Sequence, residues 1–245
     1  MSGHSKWATT KRKKAVIDAK RGKIFTKLIK EITIAARQGG GDPAGNPRLR
    51  LAIDNAKAAN MPSDNIERAV KKATGGLEGQ SYSELTYEGY GPGGVAVLVE
   101  VATDNKNRTV AEIRHFFSKG GGSMGETGSV AWMFERKGII TLPKQGKTEE
   151  DMLEIVLDQG AEDIQTEEEF FEVQTSVENF EHVRRALIDK GLTVENAGLQ
   201  WIAKNTVNVR GELAEAVIKL IENLEDNDDV QNVFTNADFD EESLK

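Results

Sequence analysis

Apolar positions in the first part of the chain recur at helical spacing. Between Ala19 and Gln38 they fall at Ile24, Phe25, Leu28, Ile32 and Ala35, and Gly39-Gly40-Gly41 ends the run; this predicts an amphipathic helix closed by glycine. A second helix is expected from Pro47, a residue suited to a first helical turn, with Leu49, Ala52, Ile53 and Ala56 inward. A third follows Ser63, read as its N-cap. It turns Ile66, Ala69, Val70 and Ala73 inward and Arg68, Lys71 and Lys72 outward, and stops at Gly75-Gly76. Three short amphipathic helices predict a small bundle.

After Gly79 the pattern changes to short strands alternating with helices. Strands are expected at Leu85–Glu88 and Val95–Val101, joined by Gly89-Tyr90-Gly91-Pro92-Gly93-Gly94, then a helix over Asn107–Ser118 and a strand at Val130–Phe134. A strand at Ile139–Leu142, a helix opened by Thr148 with Asp151 three residues on, and strands near Asp163–Gln165 and at Phe170–Thr175 come next. A helix bearing Phe180, Val183 and Leu187 and a strand at Leu199–Ala203 complete a strand-helix-strand, strand-helix-strand order. The flanking pieces, Val95–Phe134 before and Val207–Thr235 after, join into a second copy of that order. The expected class is α+β: a helical three-helix N-terminal domain at 1–78 plus two ferredoxin-like split-βαβ domains, with 137–204 inserted into a discontinuous domain of 79–136 and 205–245.

Charge changes this picture from architecture toward function. The chain carries −8 overall, yet residues 1–78 hold 17 Lys and Arg against 7 Asp and Glu, a net +10, and the remainder is −18. Such asymmetry predicts a basic binding module on an acidic body. The basic charge begins in an arm, Lys6-Trp7-Ala8-Thr9-Thr10-Lys11-Arg12-Lys13-Lys14, and continues on the first helix at Lys20, Arg21, Lys23, Lys27 and Lys30, where the lysines fall opposite the apolar stripe. Phosphates neutralised by such a cluster release counterions, so affinity can arise without any base being read. A lysine-rich solvated face is the plain alternative. Trp7 could stack on a base or anchor the arm. The segment from Arg37 to Arg50, with Asn46 beside Arg48 and Arg50, could bring guanidinium groups to phosphate or serve only to join two helices.

Other chemistry finds little support. There is no cysteine, which excludes disulfides and thiolate sites. The three histidines, His4, His115 and His182, fall in different segments without ligand spacing, and no serine sits in a nucleophile elbow. Neither Gly91–Gly94 nor Gly120–Gly128 has a phosphate-loop sequence. The second reads as a helix cap and loop, on which Lys119, Ser123 and Met124 could touch a partner. Asp104-Asn105-Lys106-Asn107-Arg108-Thr109 marks a strand-to-helix boundary that capping explains. The start of the chain lacks the apolar core of a secretory signal, and the longest apolar stretch, Val95–Val99, is too short to span a bilayer. A cytoplasmic protein without membrane contact, cofactor, metal or catalytic residue is expected.

Several motifs are longer than charge and periodicity require. Gly3-His4-Ser5-Lys6-Trp7, Gly40-Gly41-Asp42-Pro43 with Asn46 and Arg48-Leu49-Arg50, and Asn60-Met61-Pro62-Ser63-Asp64-Asn65-Ile66 closely resemble the YebC/PmpR family. So do Tyr87-Glu88-Gly89-Tyr90-Gly91-Pro92, Thr103-Asp104-Asn105 with Asn107-Arg108-Thr109, and Gly128-Ser129-Val130. The resemblance covers essentially the whole chain except the acidic end from Asp238. It implies a helical domain and two α/β domains around a cleft. It also implies regulation of gene expression, as a DNA-binding transcriptional regulator or as a translation factor on the ribosome or ribosomal RNA, and it supplies no catalytic residue. The candidate nucleic-acid contacts are Lys6, Trp7, Lys11, Arg12, Lys13, Lys14, Lys20, Arg21, Lys23, Lys27, Lys30, Arg37, Arg48 and Arg50.

Overall fold

The computed structural model describes residues 18–75 and 81–240. Three helices come first: α1 (Asp18–Gly39), α2 (Pro47–Ala58) and α3 (Ser63–Thr74). Asn46 caps α2 through its side chain, and Pro47 occupies the first turn. Ser63 is the first helical residue of α3, not its N-cap, and the amides of Asn65 and Ile66 donate to the Pro62 carbonyl instead.

β1 (Ser83–Tyr90), β2 (Ala96–Thr103), α4 (Lys106–Lys119) and β3 (Ser123–Met124) follow. β4 (Phe134–Pro143), α5 (Glu149–Leu157), β5 (Ala161–Thr166), β6 (Phe170–Thr175), α6 (Phe180–Asp189) and β7 (Asn196–Ala203) continue the chain. β8 (Val207–Val209), α7 (Gly211–Glu225), β9 (Val230–Thr235) and β10 (Ala237–Phe239) close it. The mixture is α+β, beginning with helices.

These elements gather into two compact units. One takes residues up to Ile34, Gly75–Glu135 and those from Ile202 onward; the other takes Ala35–Thr74 and Arg136–Trp201. The first unit thus takes the described chain up to Ile34 and the second Ala35–Thr74, and the segment from Arg136 is inserted within the sequence of the first unit.

In the first unit the sheet order is β3-β1-β2-β9. β1 and β2 pair antiparallel from Ser83↔Thr103 to Tyr90↔Ala96 across a tight connection in which Gly93 and Gly94 take positive φ, which a side chain would resist. Pattern alone places a strand at Val130–Phe134 and puts Val207–Val209 in this sheet, and both placements are corrected. Residues Ala131–Met133 form a 3-10 turn, and the edge position belongs to the two-residue β3. β8 pairs parallel with β10 in a separate two-stranded sheet, while β1 occupies the place expected for it, because a short hairpin aligns β1 along all of β2. β2 is buried on both faces, consistent with its nearly unbroken apolar sequence. Its residues Val97, Val99 and Val101 pack with Ile113 and Phe117 of α4 and with Val217, Leu220, Ile221 and Leu224 of α7.

The second unit carries the sheet β5-β6-β4-β7, with β6 antiparallel to both β4 and β5. This is the split-βαβ strand order expected of the inserted segment. Ile140, Leu142, Phe171 and Val173 of the sheet pack against Met152 and Val156 of α5 and Phe180, Val183 and Leu187 of α6. Thr148 and Asp151 form the capping box that opens α5, as their spacing predicts.

Candidate nucleic-acid interface

The lysines of α1 are set out at helical spacing, and Lys23, Lys27 and Lys30 turn to groups of the same unit. α7 ends at Glu225, and a helix C-terminus leaves carbonyls without intrahelical donors and carries partial negative charge. Lys23, Lys27 and Lys30 meet that end in turn. Lys23 Nζ donates to the carboxylate and the carbonyl of Asp226 at 2.9 and 3.2 Å, and Lys27 Nζ to the Glu225 carbonyl at 3.0 Å. Lys30, only 7% exposed, donates to the carbonyls of Asp228 (2.7 Å) and Ala102 (3.2 Å) and to Asp229 Oδ1 (2.9 Å). Lys30 is therefore a structural residue with no donor left for phosphate, which corrects its place among the candidate contacts. The apolar stripe shifts with it: Ile24 is exposed and Phe25 and Leu28 are half-buried, while Ile32, Ile34, Ala35 and Ala36 are buried.

Asp229 is the centre of this arrangement. Its second oxygen accepts from Arg108 Nη2 at 2.6 Å, Thr109 Oγ1 at 2.8 Å and Thr103 Oγ1 at 3.0 Å. Burial by itself raises the pKa of its carboxyl, but the hydrogen bonds from Arg108, Lys30 and Thr109 outweigh burial and hold it well below the usual carboxylate range. Capping, the reading given to Asp104–Thr109, is present, since Asn105 Oδ1 accepts from the Arg108 amide at 3.1 Å. It is not the whole account, because Arg108 and Thr109 also clamp a carboxylate more than a hundred residues downstream. Pattern reading misses this, because nothing near residue 108 in sequence signals an acidic partner.

In the second unit the Arg37–Arg50 segment is a helix connection organised by Asn46. Its Nδ2 donates to the carbonyls of Ala35 and Gly40 at 2.8 and 2.9 Å, and its Oδ1 accepts from the Leu49 amide at 3.1 Å. Arg48 donates to Gln38 Oε1, and Arg50 to the Pro43 carbonyl and, at 3.3 Å, to Glu181. Arg37 is exposed at the end of α1, and Arg68, Lys71 and Lys72 are exposed on α3, with Lys71 3.6 Å from Glu67. Lys20 and Arg21 lie on the first turns of α1. Lys6, Trp7, Lys11, Arg12, Lys13 and Lys14 lie outside the described residues.

One more feature of the first unit has no counterpart in the sequence pattern. The segment after β3 is shaped by Glu88 of β1, which is 4% exposed and accepts from the amides of Gly128 (2.7 Å), Val130 (2.8 Å) and Ala131 (2.7 Å). Burial raises the pKa of this carboxyl, and the three amides bring it below its ordinary value. Gly128 supplies the positive φ the turn needs. On this frame Trp132 stands 65% exposed.

Comparison with known proteins bears on these arrangements. The profile described as TACO1/YebC protein N-terminal domain matches residues 5–76, and that of the TACO1/YebC second and third domain matches residues 82–237. The chain belongs to the TACO1/YebC family. It is similar to a protein of Chlorobaculum tepidum, 58% identical over 98% of this chain and 96% of that one, and to one of Chloroherpeton thalassium, 56% identical over 100% and 98%. Both bear the name probable transcriptional regulatory protein. Among solved structures, a conserved hypothetical protein of Aquifex aeolicus superposes with a TM-score of 0.88 at 49% identity, over 94% of this chain and 96% of that one. In this TACO1/YebC chain, the motifs at residues 40–50, 87–92, 103–109 and 128–130 contribute to the Asn46 connection, the Glu88 clamp and the Asp229 cluster. No helix among the described residues is long and apolar enough to cross a membrane.

Proposed function

We propose that this chain is a nucleic-acid-binding regulator of gene expression, a cytoplasmic DNA-binding transcriptional regulator that performs no catalysis. The observation that carries the reading is the charge partition, +10 over residues 1–78 against −18 over the rest. The names of the relatives from Chlorobaculum tepidum and Chloroherpeton thalassium support it. The groups assigned to phosphate are Lys6, Lys11, Arg12, Lys13, Lys14, Lys20 and Arg21, with Arg37, Arg68, Lys71 and Lys72 as exposed cations of the second unit. Lys23, Lys27 and Lys30 serve the α7 terminus, and Arg50 serves the turn at Pro43 and Glu181. Because contacts to phosphate carry no base information, the binding is sequence-tolerant and steeply salt-dependent.

The test is a gel-shift titration of promoter DNA over a salt series. Reversal of Lys11, Arg12, Lys13 and Lys14 to Glu abolishes the shift at moderate salt, and neutralising them lowers the log–log salt slope by about 3 to 4, roughly 0.9 for each phosphate that is no longer neutralised. No shift at low salt, an unaltered slope, or binding confined to ribosomal RNA would overturn the DNA reading.

A further inference from the structure

We infer that Trp132 is a stacking platform for an unpaired nucleobase, held out by the loop that the Glu88 carboxylate organises; this rests on the nucleic-acid reading above and names a second, chemically different contact within it. An indole ring left 65% exposed forgoes the burial that tryptophan ordinarily obtains. Here it does so on a fixed support. Three backbone amides converge on the buried Glu88 carboxylate, the Gly125 amide donates to the Glu88 carbonyl at 2.8 Å, and the Tyr90 hydroxyl donates to the Ser129 carbonyl at 3.0 Å. A buried carboxylate is tolerated only when hydrogen bonds satisfy it, so the Glu88 clamp specifies one loop shape and resists others.

The chemistry left on the ring defines the ligand. Trp132 Nε1 already donates to the Ser129 carbonyl at 3.1 Å, so the indole offers its π surface and no free donor. The surrounding chain from Gly120 to Met133 is mostly Gly, Ser, Thr and Ala, and Glu126 is its only charged residue. The segment itself supplies no cation, and it lacks the contiguous large apolar side chains that surround the anchor of a protein interface. A flat, weakly polar partner that covers one ring fits, and an unstacked base is such a partner. Bases within a duplex are covered by their neighbours, so the ligand is a single-stranded segment, DNA or RNA. Lys204, whose Nζ donates to the Trp132 carbonyl at 3.0 Å, places an exposed ammonium at the base of the residue, where the strand's own phosphate would pass.

The experiment uses the full chain with Trp7→Phe and Trp201→Phe, so that Trp132 is the only tryptophan emitter. Dye-labelled oligothymidine, oligouridine and a duplex, each of about 15 nucleotides per strand, are titrated at low salt while anisotropy and tryptophan emission are recorded together. Emission is expected to fall with single strands, saturating where anisotropy does, and to stay flat with duplex. Trp132→Ala weakens single-strand binding about 5- to 150-fold, equivalent to roughly 1–3 kcal/mol of stacking, and leaves duplex binding unchanged; Trp132→Phe retains most of the affinity. The preferred strand is the one that quenches at the lower concentration. Binding seen by anisotropy with no quenching and no effect of Trp132→Ala would overturn this inference and leave the nucleic-acid reading standing. Absence of binding to every oligomer would overturn both.

Discussion

Replacing Asp229 by Asn removes one negative charge from a site that holds the ammonium of Lys30, the guanidinium of Arg108 and two threonine hydroxyls. The partners do not suffer equally. The Arg108 side chain is 45% exposed and keeps Asp104 at 3.0 Å, and hydroxyls rotate to other acceptors. Lys30, whose side chain is 9% exposed, keeps only neutral acceptors, two backbone carbonyls and the amide oxygen of the new Asn, and becomes a buried cation without a counterion. Removing one member of a buried pair in this way costs about 3–5 kcal/mol. Lys30→Met removes the other member and costs less, about 1.5–3 kcal/mol, because the Asp229 carboxylate keeps Arg108, Thr103 and Thr109. The double variant is less destabilised than the sum of the two. Urea unfolding followed by Trp132 emission, with Trp7 and Trp201 replaced by Phe, reports on the unit that contains the site. The pH dependence supplies a second arm. The folded carboxyl is held below its unfolded value of about 3.9, so its contribution is complete above that pH and is lost as pH falls toward the folded value. The wild type therefore loses stability more steeply than Asp229→Asn below about pH 4, and the gap between them narrows. A loss under about 1 kcal/mol at neutral pH, or Lys30→Met costing more than Asp229→Asn, would refute the reasoning.

Three further outcomes follow from the same geometry. Glu88→Gln presents one acceptor and an unwanted donor to three converging amides, so it costs about 1–3 kcal/mol and speeds hydrogen exchange at Gly128, Val130 and Ala131, measured by NMR; since the folded carboxyl is depressed, wild type and variant converge in acid. Asn46→Ala removes the acceptor that caps α2 and the donors to Ala35 and Gly40 and costs about 1–3 kcal/mol in chemical denaturation; Asn46→Asp keeps the cap but sets a buried carboxylate against those two carbonyls and is no milder, and near-wild-type stability of either variant would show that the Asn46 contacts contribute nothing. Lys23→Gln disturbs a pair that is largely exposed, so stability changes by less than about 1 kcal/mol and the salt slope of DNA binding stays the same; a reduced slope would return Lys23 to the phosphate contacts.

The second sheet shows how far local pattern reaches. Alternation of Phe171 and Val173, the Thr148–Asp151 capping box and the helical spacing of Phe180, Val183 and Leu187 each act over a few residues, and they suffice for the order β5-β6-β4-β7. In the first unit the same reading errs where partners are chosen at a distance. β8 is too short for its apolar residues to state whether it joins β2 or β10, and the turn at Ala131–Met133 is set by a carboxylate more than forty residues earlier in the chain.

What the amino-acid order determined by itself was the helices, most strands, the basic-to-acidic division of charge and the motifs of the TACO1/YebC family, because each is a matter of neighbours in sequence. Only the tertiary structure decided which cations remain for a ligand. A lysine reads the same on an open face or over a helix terminus, and Lys30 was claimed by the end of α7 and by Asp229, whose separation along the chain conceals an attraction that acts through space.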